Sequence, residues 1–140
     1  MKMTEVSKQY KIILIINIVV SLVYAIPYMF ITKLWLGFIE YGDSTPFYPQ
    51  AMGVTLFVIA IWSLRVILQK KDWESISFFM EFIFVFLFGL IIYMVLEQWF
   101  YLTQTTHPVA WTNNIISLCV VGALFAANMV FYFIETAKHK

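Results

Sequence analysis

Residues 75–96, SISFFMEFIFVFLFGLIIYMVL, place one acid, Glu81, in an apolar run long enough to cross a bilayer. An ionisable group at that depth costs roughly 2.5–3.5 kcal/mol on insertion scales, so it marks a functional site unless a partner or a proton relieves it. The preceding run, QAMGVTLFVIAIWSLRVIL, carries the opposite charge, Arg65, near its end. At 1.5 Å per helical residue, Arg65 stands about 10 Å and Glu81 about 14 Å above the Lys71–Asp72 turn. Asn17 and Asn128 each lie about 10 Å from the terminal-side ends of their own helices on the same count. Trp62 sits one turn from Arg65, and Ser77 shares a helix face with Glu74 and Glu81.

Glu81, Arg65, Asn17, Asn128, Ser77 and Trp62 therefore form an expected polar layer inside the membrane. Two roles fit the charged pair. An Arg65–Glu81 contact can fix the register of two adjacent antiparallel helices, or it can serve proton, ion or ligand chemistry. Asn17 and Asn128 read as helix-to-helix hydrogen-bonding residues.

Other chemistries lack their residues. Glu40, Asp43, Glu97 and His107 gather on the opposite side, but with one histidine and no spacing motif they read as a solvated rim and not a metal site. His107 falls in a loop and His139 in the tail, which excludes bis-histidine haem within the membrane. No H-E-x-x-H, P-loop or G-x-S-x-G motif occurs. The single cysteine, Cys119, allows no internal disulfide and reads as a packing residue. The expectation is a protein with no catalytic, cofactor or metal residues, and no affinity for nucleic acid.

The elements that must position the layer follow from composition. The chain has 140 residues, 62% hydrophobic and 12% charged, where soluble domains are nearer one quarter charged. Lipid is the solvent such a surface needs. Four continuous apolar runs, at about 11–32, 50–68, 74–100 and 108–134, suit transmembrane helices. The expected fold is all-α: a single membrane domain over 1–140, an integral four-helix bundle with a short interfacial helix at LWLGFI in the first outer loop. The first run is too long for a signal-peptide core and reads as a retained span. Pro27 is expected to kink the first helix or end it early. Pro49 and Pro108 suit first helical turns. Gly122 and Ala126, four residues apart, are expected to let helices approach closely.

Each span carries one polar stripe, such as Asn17, Ser21, Tyr24 and Tyr28 in the first and Asn114, Ser117 and Asn128 in the fourth. These stripes should face the bundle interior. Of nine basic residues, eight fall on the side of the two termini and the second turn, with only Lys33 opposite. The positive-inside rule then puts both termini in the cytoplasm, in a multi-pass protein of the plasma membrane.

The stretch AIPYMFITKLWLGFIEYG, the arginine-ended second helix, and the short basic turn before two further helices resemble the small four-helix DoxX-like membrane proteins and their uncharacterised relatives in layout. The resemblance covers most of the chain and implies a four-helix membrane bundle, in some cases an accessory subunit of an oxidoreductase. It implies no catalytic residue. The expected function is thus a non-catalytic accessory subunit of a larger membrane complex, with larger subunits or further copies of itself as partners besides the lipid bilayer. The alternative is a small proton-coupled carrier, or a lipid- or quinone-binding protein, built on the Arg65–Glu81 layer.

Overall fold

The computed structural model describes residues 6–39, 47–69, 72–100 and 106–140. Among them are five α-helices and no strand: α1 Lys8–Phe30, α2 Thr32–Phe38, α3 Phe47–Leu68, α4 Trp73–Phe100 and α5 Pro108–His139. The described residues thus form an all-helical fold, and α1, α3, α4 and α5 are each long and apolar enough to cross a membrane.

The ends of the helices have local causes. Ser7 caps α1, its hydroxyl accepting from the Tyr10 N–H at 3.3 Å. Pro27 has no N–H to donate, yet α1 continues to Phe30 before Ile31 breaks it at φ −126°, ψ 32°. The chain restarts at once as α2, where the Thr32 hydroxyl donates to the Tyr28 carbonyl across the break. Glu74 lies in the first turn of α4, where a negative charge suits the helix dipole. Pro108 occupies the first turn of α5. At 32 residues, α5 is about 48 Å long and outreaches a 30 Å hydrocarbon core.

The helices pack as two pairs. α3 runs along α1 and α5 runs along α4, while a slimmer α1–α5 seam joins the pairs. No comparable interface forms between α3 and α4, although they follow one another in sequence. They meet at the turn end of the bundle, where the Trp62 and Phe79 rings lie 5.4 Å apart. The starts of α1 and α4 and the end of α5 also converge there: Trp73 packs edge-on against Tyr10 at 5.2 Å and stacks on His139 at 5.9 Å. In this terminal half Tyr10, Leu14, Met80 and Ile83 are almost wholly buried.

Large apolar residues such as Ile12, Val23, Phe78 and Val130 remain exposed on the outside. In lipid they gain nothing by association, so packing and hydrogen bonds hold the helices together. α1 comes close to α3 at Gly53. A Cβ there would sit 2.9 Å from Met29 Cγ, 3.0 Å from Tyr28 Cβ and 3.1 Å from the Met29 backbone nitrogen. The close approach expected at Gly122 does not occur, because nothing stands within 4 Å of a Cβ at that position and Ala126 is exposed. Gly53→Ala should therefore lower the thermal midpoint in detergent, with a cost of about 1–3 kcal/mol from overpacking. Gly122→Ala should leave it unchanged.

Candidate functional site

Three hydrogen-bonded rungs cross the α1–α5 seam. At the terminal end, the buried Glu135 carboxylate accepts from the Ser7 backbone N–H and the Ser7 hydroxyl. Lys138 Nζ stands 3.6 Å and His139 Nε2 3.3 Å from the same carboxylate, and Lys138 also donates to Gln9 Oε1 at 2.9 Å. At mid-helix, Asn17 Nδ2 donates to Asn128 Oδ1 and Asn128 Nδ2 to Asn17 Oδ1, both at 2.8 Å. Further along, Tyr24 Oη donates to Ser117 Oγ at 3.2 Å. As the α1 partner advances from 7 to 17 to 24, the α5 partner retreats from 135 to 128 to 117, as an antiparallel seam requires.

The Asn pair is the most enclosed rung. Asn17 is 0% and Asn128 1% exposed, so both amides depend on protein partners. Asn128 meets a further demand by donating to the Leu124 carbonyl at 2.8 Å. A second polar link ties α5 to α4, where Asn114 Nδ2 donates to the Met94 carbonyl at 3.0 Å and to Gln98 Oε1 at 2.8 Å.

The other residues of the expected layer lie elsewhere. Arg65 is exposed, its guanidinium 4.9 Å from the Trp62 ring centroid and its Nε donating to Gln69 Oε1 at 3.0 Å. Glu81 is exposed on the outer face of α4, beside Phe78 and Phe82. Ser77 is half-buried and its hydroxyl lies 3.5 Å from the Glu74 carbonyl. No ion pair joins Arg65 to Glu81. The reason is azimuthal: α3 pairs with α1 and α4 with α5, which turns both charges away from a common interface. The structure thus brings Asn17 and Asn128 together, and sets Arg65, Trp62, Ser77 and Glu81 outside that contact.

The space between the two helix pairs is not filled. Beyond the Asn rung, in the half away from the termini, lies a cavity of about 540 Å³. All five helices contribute to its wall, Leu36 of α2 and Pro49 of α3 included. Most of the wall is apolar, as at Met52, Leu56, Leu87 and Leu90. Ser21, Tyr24 and Tyr28 of α1 and Asn113, Asn114 and Ser117 of α5 all line the space, and the two stripes meet where Tyr24 bonds Ser117. Glu97 is half-buried in the wall and accepts from Tyr93 Oη at 3.1 Å. The helix backbones come close on the α1–α3, α1–α5 and α4–α5 sides, and α3 and α4 meet through side chains such as Trp62 and Phe79.

Two acids outside the expected layer thus hold structural positions. Glu135 falls seven residues after Asn128, on the same face of α5, so extending that stripe would have found it. Glu97 is four residues from Tyr93, one helical turn away. Among the described residues no group of three or more histidine, cysteine, aspartate or glutamate side chains could hold a metal ion; Glu40 and Asp43 lie outside those residues. No family model, curated protein or solved structure matches this chain.

The Asn rung should show as an energetic coupling. Asn17→Leu or Asn128→Leu alone strands a buried amide and should destabilise by about 1–3 kcal/mol. The double variant should cost less than the sum of the two. A double-mutant cycle on unfolding in micelles checks this, with about 0.6–1.7 kcal/mol of coupling expected.

Proposed function

We propose that the protein binds a small amphipathic molecule drawn from the bilayer, as a carrier or binding protein without catalytic chemistry. The observation that carries this reading is the cavity itself. Its volume of about 540 Å³ falls in the range of small-molecule sites, and its wall combines a large apolar surface with few convergent polar groups. Sideways entry between α3 and α4 fits the wider spacing of those two helix backbones. The reading keeps a lipid or quinone among the candidate ligands but moves the site from the Arg65–Glu81 region to the Tyr24–Glu97 region. The distribution of basic residues supports a plasma-membrane orientation with both termini cytoplasmic, which puts the cavity in the outer half of the bilayer.

A second reading rests on Glu81. An acid exposed on an outer helix face at membrane depth is relieved when another chain supplies its partner. This favours an accessory subunit in a larger membrane complex, the role that the DoxX-like layout implies. Native gels of membranes solubilised in mild detergent test it: a chain that migrates alone removes this reading.

Native mass spectrometry of the chain purified from its own membrane tests the cavity. A small-molecule adduct is expected at one per chain. Thr55→Trp, which places an indole in the cavity wall, should abolish the adduct while helical circular dichroism is retained. An adduct carried equally by both proteins would refute the proposal.

A further inference from the structure

We infer that the cavity selects a lipophilic cation, a quaternary or protonated centre carried on an apolar body; this rests on the cavity reading above. Among the described residues, Glu97 is the one acid in the wall, and no lysine, arginine or histidine lines the space. Tyr93 Oη is the described hydrogen-bond donor to that carboxylate, at 3.1 Å. A carboxylate has about four acceptor positions, so capacity remains for a positive group. An anion would find no counter-charge among the described lining residues, and a neutral molecule would gain from Glu97 a hydrogen bond at most, without the charge assistance that a cation adds.

The neighbouring side chains fit the same class. Tyr93 bonds the acid, and Tyr24, Tyr28 and Phe86 put further aromatic rings into the same wall. Ring faces attract cations, and more strongly where water is scarce. Leu56 and Leu90 offer the apolar surface that the body of such a molecule needs. A hard inorganic cation fits poorly, since it demands several oxygen ligands and the wall is mainly hydrocarbon.

Tetraphenylphosphonium and tetraphenylborate have nearly the same shape and opposite charge, and triphenylphosphine oxide is a neutral relative. Equilibrium binding of all three to the detergent-solubilised chain separates charge from shape. Tetraphenylphosphonium should bind saturably, about tenfold or more tighter than the neutral probe, and tetraphenylborate should not bind. Glu97→Gln should remove the preference without changing binding of the neutral probe. Glu97→Asp, which keeps the charge, should retain it. If all three probes bind equally to the wild type and Thr55→Trp blocks them, cation selection is overturned and the cavity reading stands. If none binds saturably, cation selection is overturned too, and the adduct measurement decides whether the cavity reading falls with it.

Discussion

Two amide side chains, Asn17 and Asn128, exchange hydrogen bonds at 2.8 Å in the middle of the bundle. The rest of the structure depends on that exchange. Lipid supplies no partner for a buried amide, so each asparagine is satisfied only while the other stays in place. The apolar exteriors of the helices are indifferent to how far apart they stand, because lipid solvates them as well as another helix does. Position along the α1–α5 seam is therefore set by polar contacts, with the Ser7–Glu135 and Tyr24–Ser117 rungs holding the seam on either side of the asparagines. Sliding α1 by one residue along α5 would break all three.

A polar seam on one side, with no equivalent between α3 and α4, produces a bundle of unequal halves. The terminal half closes around Trp73, Tyr10 and Met80. In the other half α1 still meets α3 at Gly53 and α4 still meets α5 at Asn114, and the interior between the two pairs is left to a cavity rather than to side chains. Interiors normally pack densely, and an apolar void forfeits dispersion contacts along its whole lining. A space of this size lined by tyrosines, asparagines and one acid is better accounted for by an occupant than by imperfect packing. The proposed ligand is one whose body replaces those contacts and whose charge meets Glu97.

The composition and the four apolar runs were enough to read an all-helical membrane protein, and α1, α3, α4 and α5 are long and apolar enough for that. The stripes were legible for the same reason: Asn17 and Asn128 recur on faces with other polar residues, and those faces point inward. What the spacing did not contain was the order of helices around the bundle. Depth along a helix follows from counting residues, but azimuth depends on which helix is the neighbour. Pairing α3 with α1 turns Arg65 outward, and pairing α4 with α5 does the same to Glu81. The glycine that matters, Gly53, opposes Met29 on a different helix, a contact that no pattern within α3 reveals. Glu97 read as rim because its place near the end of the helix suggests solvent, whereas α2 folds back and Leu36 joins the same wall.

The most direct measurement is a density map of the protein in lipid nanodiscs, obtained by electron cryo-microscopy with a rigid fiducial. The account predicts separate α1–α3 and α4–α5 pairs, contact between Asn17 and Asn128, and non-protein density between Tyr24 and Glu97. A map in which α3 and α4 close against each other along their lengths, leaving no space between those residues, would contradict it.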